Sequence, residues 1–153
     1  MPIKADALFS SASVEWETPP ELFDEYNRRF NFTLDVAATD KNALCDRYYP
    51  RDTDGLSQSW QTDGAVWCNP PYGKDIIKWV RKAYEESRRG QTIIMLIPAR
   101  TDTKWFHDYV YHKADLVFLR GRLRYGVNGV PSKNSAAFPS MIVIYNGGDK
   151  NAD

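Results

Sequence analysis

The stretch Ala65-Val66-Trp67-Cys68-Asn69-Pro70-Pro71-Tyr72-Gly73 decides how this sequence folds. Its first four residues form a short apolar run, the pattern of a strand buried on both faces. Two prolines then remove consecutive backbone N–H donors, so ladder pairing has to stop. Beyond Gly73, residues Ile76, Val80, Ala83, Tyr84 and Ser87 recur at helical spacing as far as Arg89. Lys74, Lys78, Arg81, Lys82, Arg88 and Arg89 fill the remaining faces and give this helix a basic side. A buried strand that breaks sharply into an amphipathic helix is one unit of an alternating β/α chain.

Upstream, Phe32-Thr33-Leu34-Asp35-Val36-Ala37-Ala38 is a second short apolar run, and it delivers one acid, Asp35, toward a strand's carboxyl end. Before it, Thr18-Pro19-Pro20-Glu21 reads as a helix start. Thr18 is expected to cap, Pro19 to take the first helical position and Glu21 to complete a capping box, with Leu22, Phe23, Tyr26 and Phe30 burying one face. From Thr39 to Gln61 periodicity is poor; we expect one helical turn around Asn42 to Cys45, a short strand near Tyr48 and a turn at Asp54-Gly55.

Downstream, Thr92 to Ile97 is an apolar run ended by Pro98, and Asp102 to His112 is expected to be helical through Trp105, Phe106 and Tyr109. The spans Asp115–Tyr125 and Ser140–Tyr145 read as two last strands, joined by a loop holding Gly126, Asn128, Gly129, Pro131, Ser132 and Lys133. The expected architecture is α/β: a mostly parallel sheet with helices on both faces and a C-terminal antiparallel hairpin. Ligand sites of such sheets lie at the strands' carboxyl ends, the edge to which Asp35 and Asn69 both fall.

The length of 153 residues suits one domain, expected over residues 14–146, with 1–13 and 147–153 as loosely held ends. Lys plus Arg equal Asp plus Glu at 20 each, so no global positive field draws the chain to nucleic acid, and any such binding must rest on a local patch. The two cysteines, Cys45 and Cys68, and the two histidines, His107 and His112, have no metal-ligand spacing, so no metal is expected. The start, Met1 to Ser13, has neither the basic residues nor the apolar block of a signal peptide, and no apolar run approaches the ~20 residues of a membrane span. A cytoplasmic location is the expectation.

Chemistry concentrates in Asn69-Pro70-Pro71-Tyr72. An exocyclic amino group on a nucleobase is a poor nucleophile because its lone pair is delocalised into the ring. If the Asn69 side-chain oxygen and a backbone carbonyl of the proline-stiffened loop accept its two hydrogens, the nitrogen is drawn toward tetrahedral geometry and its lone pair is freed. Tyr72 offers a ring on which an extruded base can stack. Taken alone, the tetrapeptide serves equally well as a turn that ends a strand, since Asn-Pro commonly starts turns.

The ordered set Trp16-Glu17-Thr18-Pro19, Phe32 to Ala38, Asp54-Gly55-Leu56, Asn69 to Tyr72, Leu96 to Phe106 and Gly121-Arg122-Leu123 resembles the small phage and prophage DNA N6-adenine methyltransferases, from Trp16 to Tyr145. The resemblance implies a single-domain, Rossmann-like class I methyltransferase fold and S-adenosylmethionine as methyl donor. It implies the cytoplasm of a bacterial host as location. Asn69, Pro70, Pro71 and Tyr72 would form the catalytic loop. Asp35 and Ala37 would hold the cofactor's methionine end, Asp54 and Leu56 would lie near its adenine, and Trp16 with Thr18 would close over the pocket. Alanines stand in Asp35-Val36-Ala37-Ala38 where the usual cofactor loop has glycines, so close backbone approach there relies on alanine.

DNA is the expected partner. Lys74, Arg100, Lys104, Arg120, Arg122, Arg124 and Lys133 are candidates for phosphate contact, although a solvated charged face explains any single one equally well. Tyr125 is a candidate to stack on the target base. No separate target-recognition domain fits, so sequence selectivity is expected to be weak or to come from a second copy in a homodimer. The amino-group geometry would also serve a protein glutamine or an RNA base, and a non-catalytic nucleic-acid-binding relative is the third reading.

Overall fold

The computed structural model describes residues 16–127, the backbone of 130–131, and residues 135–147. The chain is α/β, as its periodicities predict. In chain order the elements are α1 (Pro20–Phe30), β1 (Phe32–Asp35), β2 (Ala65–Cys68), α2 (Ile76–Arg88), β3 (Ile93–Pro98), α3 (Lys104–Tyr109), β4 (Asp115–Phe118), β5 (Gly126–Val127), β6 (Val130–Pro131) and β7 (Ser140–Tyr145). Five strands form one sheet in the order β1-β2-β3-β7-β4, and β5 pairs with β6 apart from it.

Strands β1, β2 and β3 are parallel, with Asp35 opposite Trp67 and Val66 opposite Ile93. Strand β7 runs antiparallel to both β3 and β4, so β4 points the same way as the first three. The last two long strands therefore pair as expected, but β7 is inserted between β3 and β4 and leaves β4 at the sheet edge. The extended span 115–125 is cut short at Phe118. Its partner begins only at Ser140, and beyond Leu119, whose N–H reaches the Ser140 carbonyl, no ladder remains to hold it. Gly121, at φ 76°, then turns the chain away.

Strands β2, β3 and β7 are buried along their whole length, which explains why they read as continuous apolar runs rather than alternating ones. Helix α1 docks through Phe23, whose ring meets Phe32 and Trp67 at 5.3 and 5.4 Å between centroids. Helices α2 and α3 meet the sheet where Tyr84 and the Tyr109 carbonyl contact Tyr145. Burying a side chain of the size of Leu34 or Ile94 contributes about 1.5–3 kcal/mol, and the sheet holds many of them fully enclosed.

Helix boundaries differ from the sequence reading in two instructive places. Helix α1 starts one residue later than expected, with Pro19 at the N-cap, Pro20 at the first helical position and no side-chain cap; Thr18 is engaged elsewhere. Helix α3 is shorter, because Thr103 caps it by accepting from the Phe106 N–H and His112 leaves helical space at φ 66°. The expected turn near Asn42 is centred slightly earlier, on the Ala43 N–H to Thr39 carbonyl bond. The strand expected at Tyr48 is a single parallel bridge to Asp35. No helix among the described residues is long and apolar enough to cross a membrane.

Candidate active site

Asn69 leaves the end of β2 with its side-chain amide bonded at both ends. Its Nδ2 donates to the Trp16 carbonyl and, at 3.0 Å, to Thr18 Oγ1. Its Oδ1 lies 2.8 Å from the Tyr72 hydroxyl. That hydroxyl also stands 2.9 Å from the Leu96 carbonyl and 3.3 Å from the Tyr125 hydroxyl, which in turn pairs with Ser140 Oγ at 2.8 Å. One phenolic proton thus serves two acceptor oxygens, Asn69 Oδ1 and the Leu96 carbonyl, and can turn from one to the other. Burial raises the Tyr72 and Tyr125 pKa values, so both phenols stay protonated.

This places Tyr72 and Tyr125 differently from the expectation of open stacking faces. They are 6% and 1% exposed, and their rings pack edge to face at 6.1 Å. Phe138 and Trp16 close the cluster, with Trp16 at 6.1 Å from Tyr125 and 6.2 Å from Phe138. Their sequence separation hides this. A tyrosine ending a strand and a tyrosine in a loop each look free until the sheet brings them together.

The segment before α1 is held over the loop by backbone pairing of Glu17 with Gly126, at 2.9 Å in both directions. Thr18 belongs to the same segment. Its Oγ1 receives the Trp67 indole N–H at 3.3 Å as well as the Asn69 amide, which is why it does not cap α1.

Beside Asn69 opens a cavity of about 320 Å³ at the carboxyl ends of β1 and β2. Of the residues expected to hold a cofactor, Trp16, Thr18, Asp35, Ala37 and Asp54 line it, and Asn69 and Pro71 of the loop complete the wall. Leu56 does not line it. Its N–H is bonded to Asp54 Oδ1 at 3.2 Å, so its backbone shapes the Asp54 turn. The volume falls at the low end of small-molecule sites, about 300–1,000 Å³.

Asp35 is the buried acid of the cavity, whose lining also includes Glu17, Lys41, Arg51 and Asp54. It is 2% exposed and accepts from the Leu44 and Ala37 N–H groups at 3.2 and 3.3 Å. Burial outweighs those two bonds and pushes its carboxyl up to about 7. A buried carboxylate under that load is stabilised by a cation brought into the cavity.

The far wall is built by residues to which the sequence reading gave no chemistry. Gly55 passes so close to the Val36 carbonyl that a Cβ would sit 2.3 Å from its oxygen, so only glycine fits there. The Trp60 indole N–H donates to the Gly55 carbonyl at 2.8 Å, and the Trp60 ring lies 6.0 Å from Trp79, which lines the cavity. Buried Glu86 of α2 anchors this loop by accepting from the Trp60 N–H at 3.3 Å and from Gln61 Nε2 at 2.7 Å. Trp67, also without an expected role, joins Trp79 in the wall. The available signal was Trp60, five residues after the turn-prone Asp54-Gly55.

The expected phosphate-binding residues Lys74, Arg100, Lys104, Arg120, Arg122 and Arg124 are all exposed. Lys104 is paired with Asp108 at 2.6 Å along α3. Lys133 lies outside the described residues. Among the described residues no group of three or more His, Cys, Asp or Glu side chains could hold a metal.

The family model for DNA N-6-adenine-methyltransferase matches residues 8–150. A DNA N-6-adenine-methyltransferase of Escherichia phage T1 is 32% identical over 115 residues, covering 74% of this chain and 48% of that protein. The chain thus spans about half the length of that relative. A DNA N-6-adenine-methyltransferase of Haemophilus phage HP1 is 27% identical over 134 residues, covering 85% of this chain and 77% of that one.

Proposed function

The chain belongs to the DNA N-6-adenine-methyltransferase family, and on that premise we propose that it transfers a methyl group from S-adenosylmethionine to the N6 amino group of adenine in DNA. The observation that carries this reading is the meeting of Asp35 and Asn69 on one cavity. One is a buried acid suited to an ammonium group; the other is an amide whose oxygen suits an amino group. The parallel strands β1, β2 and β3, with the site at their carboxyl ends, support a class I methyltransferase fold.

The cavity fits the cofactor by its chemistry. Asp35 would take the ammonium group, and the Ala37 backbone would lie beside the amino-acid end. Asp54 and the Trp79 ring would flank the nucleoside. When bound there, S-adenosylmethionine supplies a methyl carbon that the N6 lone pair takes, with the C–S electron pair remaining on sulfur.

This chain's residues prepare the nitrogen. Asn69 Oδ1 accepts one amino hydrogen, and a carbonyl of the Asn69–Pro71 backbone accepts the other. As the first hydrogen arrives, the Tyr72 proton turns to the Leu96 carbonyl, so no oxygen is left unsatisfied. Fixed acceptors of this kind contribute a few kcal/mol each, by analogy with the ~2.7–4 kcal/mol of one oxyanion-hole donor. Alignment of nitrogen and methyl contributes roughly 7–11 kcal/mol more. Pro70 and Pro71 keep the acceptors preset. The proton lost from nitrogen after transfer passes to water, which requires no general base.

DNA backbone contact falls to Lys74, Arg100, Arg122 and Arg124, all exposed, with Lys104 and Lys133 as further candidates. A second copy of the chain would extend the short reading surface. The bacterial cytoplasm is where this substrate and cofactor coexist.

The test is incubation of the chain with S-adenosylmethionine and unmethylated DNA, followed by nucleoside analysis. N6-methyladenine should form with the natural sequence and not with Asn69→Ala. Methyl label found in RNA or protein, and none in DNA, would replace this reading.

A further inference from the structure

We propose that the segment Trp16–Thr18 is a positioning clamp for Asn69, which sets the amide so that the site accepts a hydrogen bond from its substrate and does not donate one. The Trp16 carbonyl sets the orientation, Thr18 is the side chain that holds the amide in place, and the inference rests on the methyltransferase reading of the same cavity.

A primary amide is almost symmetric in shape, and turning it by half a revolution exchanges an acceptor for a donor. In one orientation Asn69 would receive an amino group, as on adenine or cytosine. In the other it would donate to a ring carbonyl, as on guanine or thymine. Which orientation holds depends on what the other end of the amide faces.

At Asn69 that end faces two oxygens on the segment before α1. The Trp16 carbonyl can only accept, so the group against it has to be Nδ2. Thr18 Oγ1 accepts from the Trp67 indole N–H at 3.3 Å, which fixes the oxygen in place but leaves it a lone pair and its own O–H, so it can meet either end of the amide. Its remaining acceptor capacity meets the second Nδ2 hydrogen at 3.0 Å. Turning the amide would set Asn69 Oδ1 against the Trp16 carbonyl and leave Nδ2 beside Tyr72. The Tyr72 hydroxyl accepts either orientation and decides nothing by itself. The choice is made by the Trp16 carbonyl, while Thr18, itself held by Trp67, fixes the amide in place, and the Glu17 to Gly126 bonds hold that segment in register.

The family resemblance implies a place for Thr18 over the cofactor. Although it borders the cavity, its hydroxyl is committed to Asn69 and Trp67. Its loss should therefore be felt in turnover more than in cofactor affinity.

The experiment compares Thr18→Val, which keeps the shape and removes the hydroxyl, with Thr18→Ser, which keeps the hydroxyl. For Thr18→Val the kcat for DNA methylation should fall about ten- to a hundredfold, the scale of a misplaced reacting group. The Kd for S-adenosylhomocysteine, by calorimetry, should stay within about twofold, the small change expected when uniform binding is untouched. Thr18→Ser should restore most of kcat. A weakened Kd with kcat intact at saturation would overturn the clamp, as would a folded Thr18→Ser that stays as slow as Thr18→Val. A readout independent of catalysis is the exchange of the Asn69 side-chain amide protons, followed by NMR in the natural sequence and in Thr18→Ser. Both protons should be protected in each protein, and free exchange in the natural sequence would overturn the clamp even if Thr18→Val does not fold. If no methylated DNA forms, the functional reading fails, and protected amide protons would still support the clamp.

Discussion

Replacing Asp35 by asparagine should reverse the usual relation between a buried acid and stability, in a way that depends on pH. Burial lifts the Asp35 carboxyl from the usual 3.8 to about 7. A carboxyl whose folded pKa exceeds its unfolded value contributes stability that is fully present below 3.8 and lost as pH rises through about 7. Between pH 5 and pH 7 that loss approaches about 1.36 kcal/mol per pH unit and flattens as the carboxyl becomes half ionised at about 7, giving about 2.3 kcal/mol. For a chain of this size it lowers Tm by roughly 5–10 °C, taking 2–4 °C per kcal/mol. The carboxamide of Asp35→Asn has no proton to lose, so the Tm of that variant should lack this slope. The assay is calorimetric melting of both proteins at pH 5, 6, 7 and 8 without cofactor, read as the difference between the two slopes. Curves that move in parallel would refute the reasoning, because they would mean that the cavity does not load the carboxyl. Cofactor binding should carry the same pH signature. S-adenosylhomocysteine, which carries an ammonium group, should bind about tenfold more weakly for each pH unit below 7, since only ionised Asp35 attracts it. A thioadenosine without the amino-acid arm should show no such dependence.

Gly55→Ala drives a Cβ to 2.3 Å from the Val36 carbonyl, a backbone atom that cannot step aside. Melting should show a loss of about 1–3 kcal/mol, the range of an overpacked core, together with weaker cofactor binding. Glu86→Ala leaves the buried Trp60 N–H without its partner and removes the group facing Lys82 and Arg89 at 3.5 and 3.6 Å. It should lower stability by about 1–3 kcal/mol, the cost of an unsatisfied buried donor, with Glu86→Gln costing less because one acceptor remains for Trp60; equal losses in the two would contradict this. Arg122→Ala combined with Arg124→Ala should weaken DNA binding at low salt. Each phosphate contact removed should flatten the slope of log K against log salt by about 0.9, and an unchanged slope would exclude both residues from the interface.

Much of this molecule could be read before it was folded, because the relevant information is local. The apolar runs at Phe32–Asp35, Ala65–Cys68 and Ile93–Pro98 declare strands buried on both faces. The prolines at 70 and 71 declare where the second one stops. Parallel pairing then sends Asp35 and Asn69 to the same sheet edge, which is why an acid and an amide 34 positions apart could be expected in one site. What only the tertiary structure decided concerns groups whose meaning depends on a distant partner. Thr18 carries the local signature of a helix cap, yet its hydroxyl serves Asn69, 51 positions away. Tyr72 and Tyr125 look available to a base and are instead packed against each other, 53 positions apart, because β7 is inserted beside β3 and delivers Ser140 beneath them. Periodicity records which face of an element is buried; it carries no record of what stands opposite, and hydrogen bonding at Asn69 is settled by what stands opposite.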